Sequence, residues 1–166
     1  GARLSVMTQS KLYRGARARK PPVIRKRTKE NIELVVNTVE ALTGTKPTQE
    51  AVWQSLNRQE ALSKKSSAFL WKAIHEAHKV GKYWEHTGVR DTHMPCELCD
   101  SPVESIEHIL LECKASGQQE VWKQVRELWK ETGKPLPHIA LGLILGIGVV
   151  EIREDPTGSR LAIRLL

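Results

Sequence analysis

The chain carries three cysteines, Cys96, Cys99 and Cys113, and all of them share one short window with His108. The spacing is C-x2-C-x8-H-x4-C. A CxxC turn aims two thiolates at one point, and a His and a Cys arriving from the next helix complete the tetrahedron that zinc prefers. Four protein ligands close the coordination shell and leave no place for water or substrate. Such a site is structural rather than catalytic, and its occupation contributes on the order of 10 kcal/mol to folding. An odd number of cysteines with a CxxC pair suits a metal better than a disulfide framework, which implies an intracellular, reducing compartment, nuclear or cytoplasmic. Two alternatives stay open. The thiols are neighbouring buried or redox-active groups without a metal, or His93, within H-x2-C-x2-C, replaces His108 as fourth ligand. His108 is preferred because Cys113 follows its helix at once, whereas His93 lies in a polar loop.

Around this window the pattern is helical. Ile32, Val35, Val36, Val39 and Leu42 recur at helical spacing and the run stops at Gly44. Pro47 and Thr48 punctuate the chain before a second stripe of Val52, Trp53 and Leu56. A third stretch, from about residue 66 to residue 80, places Phe69, Leu70, Ala73, Ile74 and Ala77 on one face and ends at Gly81. Ser101 and Glu104 have capping-box spacing ahead of a short helix that carries His108 and finishes near Cys113. A longer helix, about 118–130, puts Val121, Trp122, Val125, Leu128 and Trp129 on its buried side, and Gly133, Pro135 and Pro137 end it. Residues 141–150 and 160–166 are short apolar runs that read equally as helices or as strands of a small sheet. The expected fold is mainly α, a small helical domain with a CCHC zinc knuckle inserted between helices. Residues 1–29 form a connector, 30–132 the helical zinc-binding domain and 133–166 a C-terminal apolar segment.

Charge points to the partner. The chain has a formal net charge of +7, a balance that favours polyanions such as RNA or DNA. The cluster RGARARKPPVIRKRTK concentrates this charge, and Pro21 and Pro22 forbid one continuous helix through it. Arg14, Arg17, Arg19, Lys20, Arg25, Lys26 and Arg27 are the candidate phosphate contacts; a solvated linker or a targeting-like charge run is the alternative. Tyr83 or Trp84 are candidates for stacking on unpaired bases, whereas Trp53, Trp71, Trp122 and Trp129 lie on apolar faces and are assigned to the core. A membrane is not expected, since the apolar run 139–150 is too short to span one and is interrupted by glycines.

Catalytic patterns are missing from the sequence. Carboxylates are dispersed rather than gathered for two-metal chemistry, and no YxDD-like polymerase motif or Gly-rich phosphate loop occurs. His75-Glu76-Ala77-His78 misses the zinc-protease pattern because the second His comes at i+3; both are read as polar residues on a helix face. The chain is therefore not expected to be an enzyme.

The segments WKAIHEAHKVGKYWEH, CELC, VESIEHILLEC and VWKQVRELW together resemble the zinc-binding tail of reverse transcriptases from non-LTR retrotransposons, fungal ones in particular. The resemblance covers roughly residues 28–129, and Phe69-Leu70-Trp71, Glu104-Ser105, His108-Ile109-Leu110, Glu112-Cys113, Trp122 and Trp129 carry it with the ligands. In that family the segment follows the polymerase and often a ribonuclease H domain, and the opening GARLSVMTQSKLYR resembles the exit from such a domain. The resemblance implies a piece of a longer chain, one that helps an element's protein engage template RNA or target DNA. A protein-interaction scaffold with purely structural zinc, or an inactive remnant of the element, are the alternatives.

Overall fold

The computed structural model describes residues 7–20, 23–57 and 62–150. Among these residues the regular structure is helical, without strands: α1 (Gln9–Ala18), α2 (Lys26–Thr43), α3 (Gln49–Ser55), α4 (Lys64–Ile74), α5 (Arg90–His93), α6 (Gln118–Lys130) and α7 (Leu141–Leu145). A 3-10 turn spans Gly81–Trp84 and a π-helical turn spans His108–Glu112.

Helix α2 is the spine. Ile32, Val35, Val36 and Val39 fall on one stripe and are all buried, while Leu42, at the end of that stripe, is exposed. Gly44 ends the helix in the left-handed region at φ 68° and donates its N–H to the Glu40 carbonyl at 2.8 Å, a cap that costs glycine little. Thr48 then opens α3 by accepting from the Ala51 N–H at 3.1 Å, and Ser63 opens α4 by accepting from the Ser66 N–H at 3.0 Å; hydroxyls at these positions satisfy donors that the first helical turn leaves orphaned. Val52, Leu70 and Ile74 from these two helices close on α2.

The apolar run near the C-terminus belongs to this core. Leu143, Ile144, Leu145, Ile147 and Val150 are buried in the same cluster as the α2 stripe, and Leu141–Leu145 is helical rather than extended. Gly142 sets the approach: a Cβ there would collide with the Thr38 side chain and sit 3.0 Å from the Leu34 carbonyl oxygen. The glycines that interrupt the run thus let two backbones pack closely. Residues 160–166 lie outside the described residues.

Two boundaries differ from the sequence reading. The connector contains a helix, α1, capped by Thr8 and with no buried residue, and α2 begins inside it, because Thr28 is buried and its hydroxyl meets His75 Nδ1 at 3.0 Å. Helix α4 stops at Ile74 rather than running on to Gly81. Glu76 adopts φ 47°, its N–H donates to the Ala73 carbonyl at 3.0 Å, and the Ala77 N–H donates to the Lys72 carbonyl at 2.8 Å. This paired pattern is a Schellman C-cap, built without the glycine that would have advertised it. Arg27 Nη1 holds Glu76 Oε2 at 2.8 Å and Arg27 Nη2 lies 3.9 Å from Glu85 Oε2, so the start of α2 clasps the chain leaving α4.

Helix α6 matches its expected span but buries a narrower face. Val125 and Trp129 are buried and Trp122 is half-buried, its Nε1 donating to the Leu110 carbonyl at 2.6 Å. Val121 and Leu128 face solvent at 57% and 40% exposure, because the short turn beneath α6 is wide enough to cover only the stripe of residues 122, 125 and 129.

Candidate metal centre

Residues 94–116 form the knuckle. The Cys96 N–H donates to the Ser101 carbonyl at 3.0 Å and the Glu104 N–H donates to the Met94 carbonyl at 2.7 Å. These bonds fold the CxxC segment back on itself. Gly81 packs directly beneath it at φ 47°, where a Cβ would run into the Glu104 carbonyl group. Since the Glu104 backbone is held by Met94, the expected capping box of Ser101 and Glu104 does not form. Ser101 Oγ instead donates to the Val103 carbonyl at 3.1 Å, and Ser105 is the cap, its Oγ accepting from the His108 N–H at 2.9 Å.

From this cap the chain enters the π-helical turn. Its closing bond runs from the Cys113 N–H to the His108 carbonyl at 2.7 Å, five residues back rather than the usual four. In an α-helix residues five apart diverge by about 140° around the axis; the widened turn brings Cys113 back beneath His108, in the manner of π-bulges elsewhere at functional sites.

Cys96, Cys99, His108 and Cys113 thereby converge, with their ligand atoms all within 4.8 Å of one another. Cys96 Sγ and Cys113 Sγ are 3.8 Å apart, and Cys99 Sγ is 3.3 Å from His108 Nε2. Zinc–sulfur bonds at tetrahedral angles place two sulfurs about 3.8 Å apart, so the donor set fits the ion in spacing as well as in chemistry. Cys96, His108 and Cys113 are buried and Cys99 is half-buried. The other face of His108 meets Glu112, whose Oε2 is 3.4 Å from Nδ1. A carboxylate there fixes the imidazole tautomer with Nε2 free for a metal. In the sequence Glu112 has a place in the family resemblance but no role at the metal, although its i+4 relation to His108 is visible there.

The thiols are electrostatically unequal. A backbone hydrogen bond at Ser101 favours the Cys99 thiolate, but burial and the thiols of Cys96 and Cys113 outweigh it and the Cys99 pKa is raised. Burial opposes ionisation of Cys113, yet backbone hydrogen bonds at Ala115 and Ser116 and the neighbouring thiols prevail and its pKa is lowered. His108 is raised by hydrogen bonding to the Cys96 sulfur, against the effect of burial, with help from Glu112. Thiol and imidazole donors release protons when they take a cation.

His93 stands outside this group. It is exposed on α5, its Nδ1 lies 2.7 Å from Thr92 Oγ1, and its ring packs edge-on against Trp84 at 5.2 Å. His75 and His78 also have other partners. His75 caps α4 and stacks on Trp53, while His78 Nε2 donates to the Phe69 carbonyl at 3.0 Å.

The candidate phosphate contacts divide between two elements. Arg14 and Arg17 lie on α1, with Arg19 and Lys20 just beyond it; Arg25, Lys26 and Arg27 are at the start of α2. All seven are exposed. Arg27 is engaged by Glu76 and Glu85, and Lys26 is 3.8 Å from Glu30. Of the stacking candidates, Tyr83 is exposed, whereas Trp84 is half-buried with its Nε1 donating to the Lys79 carbonyl at 3.1 Å. Trp71, assigned to the core, is 49% exposed.

A helical domain with three thiols and an imidazole converging on one point defines a class, the small zinc-braced modules. The family model described as zinc-binding in reverse transcriptase matches residues 35–122, more than half of the chain, and the chain belongs to that family. The matched region is a zinc-binding accessory domain rather than a polymerase or ribonuclease H domain. No curated protein and no solved structure matches the chain. Among the described residues, no helix is long and apolar enough to cross a membrane.

Proposed function

We propose that the chain is a non-catalytic, zinc-braced module that binds RNA or DNA for a reverse-transcriptase-related protein. Zn2+ is held by Cys96, Cys99, His108 and Cys113, and supplies rigidity to the fold. The observation that carries this reading is the closure of the site: four donors within 4.8 Å of one another make a complete tetrahedral set, with no coordination position for a reacting water. Arg14, Arg17, Arg19, Lys20, Arg25, Lys26 and Arg27 contact phosphates, consistent with their exposure on α1 and at the start of α2. The resemblance of the opening segment supports a position behind a ribonuclease H domain, and that of the segments around the ligands supports an element of fungal type. The three free thiols suit a reducing compartment.

Phosphate contact is an electrostatic interaction, so affinity falls linearly on a log–log plot against salt, with a slope set by the number of phosphates neutralised. Zinc-loaded protein titrated against single-stranded RNA and duplex DNA at several salt concentrations tests this. Replacing Arg17, Arg19 and Arg25 by Gln is expected to reduce the slope by roughly one unit for each arginine replaced. Absence of salt-sensitive binding to either nucleic acid rejects the reading in favour of a protein-interaction scaffold, to which the exposed Val121 and Leu128 of α6 would then be the natural contact face.

A further inference from the structure

Beside the first turn of α2 lies a cleft of about 490 Å³ whose wall includes Trp53, Trp71 and His75 and whose rim includes Arg25, Lys29 and Gln49. Its volume falls within the roughly 300–1,000 Å³ typical of small-ligand sites. The aromatic wall is continuous. Trp53 and His75 are stacked with ring centres 5.1 Å apart and planes 19° from parallel, and Trp71 meets His75 at 4.3 Å and 57°. Thr28 Oγ1, 3.0 Å from His75 Nδ1, fixes the imidazole between the two indoles. Burial, and secondarily the charge of Arg25, lowers the His75 pKa, so the wall is uncharged at neutral pH. Trp71 nevertheless leaves half of its surface in water, so its indole is open to a partner from solvent.

Charge selects the occupant. Among the described residues no carboxylate lines the cleft, whereas Arg25 and Lys29 do; the pair that Lys29 makes with Glu33 at 3.7 Å is solvent-exposed on both sides and is worth little. The adjoining first turn of α2 has no acidic residue and no side-chain cap, so its N–H groups and dipole also favour an anion. A flat apolar ring with an attached anion matches an aromatic wall beside two cations. We propose that this cleft receives one unpaired nucleotide of a single-stranded nucleic acid, its base stacked on Trp71 and its phosphate held between Arg25 and Lys29. A base paired inside a duplex keeps its faces covered by its neighbours and cannot enter; unpaired bases stack on such platforms without regard to sequence.

This inference rests on the proposed nucleic-acid-binding function and sharpens it to a site and to a strandedness. The test measures binding of zinc-loaded full chain to fluorescent oligothymidylate, oligouridylate and a DNA hairpin duplex, for the native protein, W71A and W71F. Zinc content and far-UV circular dichroism establish that each variant is folded. Trp71 is exposed enough for both to fold, and W71F keeps a stacking ring. Expected are a loss of roughly tenfold or more for single strands in W71A, substantial rescue in W71F, and unchanged duplex affinity. If the native protein binds single strands with the usual salt dependence and W71A binds them equally well, or loses single strands and duplex alike, the inference is overturned and the proposed function stands. If no nucleic acid binds, both fall. A change in oligomeric state of W71A on gel filtration, without a selective loss of single-strand binding, assigns the cleft to a second copy of the chain and also overturns it.

Discussion

Glu112 Oε2 lies 3.4 Å from Nδ1 of His108, while the opposite ring nitrogen of His108 is 3.3 Å from Cys99 Sγ. The carboxylate and the thiols therefore address different edges of one imidazole. Replacing Glu112 by Gln should leave zinc stoichiometry unchanged and weaken affinity by about tenfold, the low end of the usual range for such partners, because the Glu112 side chain is 62% exposed and water screens it. Competition with a chromophoric chelator measures the change. An unaltered affinity would make the contact incidental.

The ligand set itself separates two histidines. His108→Ala is expected to lose stable zinc binding, whereas His93→Ala retains one zinc, since His93 pairs with Thr92 and Trp84 outside the cluster. Metal analysis of the two purified variants reads this directly, and an intact site in His108→Ala would overturn the assignment.

Zinc removal should act locally. The core built from α2, α3, α4 and α7 has its own contiguous apolar cluster, whereas residues 94–104 contribute no buried hydrophobic residue other than Cys96. Chelation is then expected to abolish hydrogen-exchange protection across residues 94–104 while α2 and α4 keep theirs. Uniform loss of protection throughout the chain would show that the metal is required for the whole fold.

Glu76 combines a left-handed backbone with an ion pair to Arg27. Glu76→Ala loses the pair and keeps the strained conformation, while Glu76→Gly loses the pair and relieves the strain, so the glycine variant should be more stable than the alanine variant by about 1 kcal/mol. The pair itself, nearly half exposed on both sides, contributes at most about 1 kcal/mol. Urea denaturation of the three proteins separates the two contributions.

His75 supplies a pH dependence. Its folded-state pKa is lowered by burial and by Arg25, so the unfolded chain binds the proton more readily. Its contribution to stability is complete above the ordinary imidazole pKa, declines as the pH falls through that value, and levels off below the folded-state pKa. In nuclear magnetic resonance titrations the His75 ring protons should therefore show a midpoint below the ordinary imidazole value. A His75 midpoint equal to or above it would mean that the Trp53 and Trp71 rings do not shield the imidazole.

The parts of this architecture legible in the sequence are those encoded locally. The ligands share one window, Gly44 announces the end of α2 through a conformation that other residues resist, and the end of α6 follows from Gly133, Pro135 and Pro137. What escaped depends on partners distant in the chain. Glu76 ends α4 in a position normally given to glycine, with Arg27 from α2 beside it. Ser101 and Glu104 have the spacing of a cap, but Met94 captures Glu104 first. Trp71 belongs to an apolar pattern, yet its exposure depends on how far α3 and the start of α2 reach over it. The apolar run 139–150 is short and broken by glycines, which suits burial, but its partner, α2, depends on Gly142, whose close approach to Thr38 hydropathy alone does not reveal.

The hydrogen bond from Cys113 to the His108 carbonyl also governs how the last interval of the motif is held. Between Cys99 and His108 length is fixed by other bonds, from the Cys96 N–H to the Ser101 carbonyl and from the Glu104 N–H to the Met94 carbonyl, with Gly81 packed against Glu104. Between His108 and Cys113 the thiol lies beneath the imidazole because the turn is wide; with the same five-residue spacing on an ordinary α turn it would sit about 140° round the axis. The two intervals of the motif are therefore held by different means, the first by backbone bonds across a folded loop and the second by the width of a single helical turn.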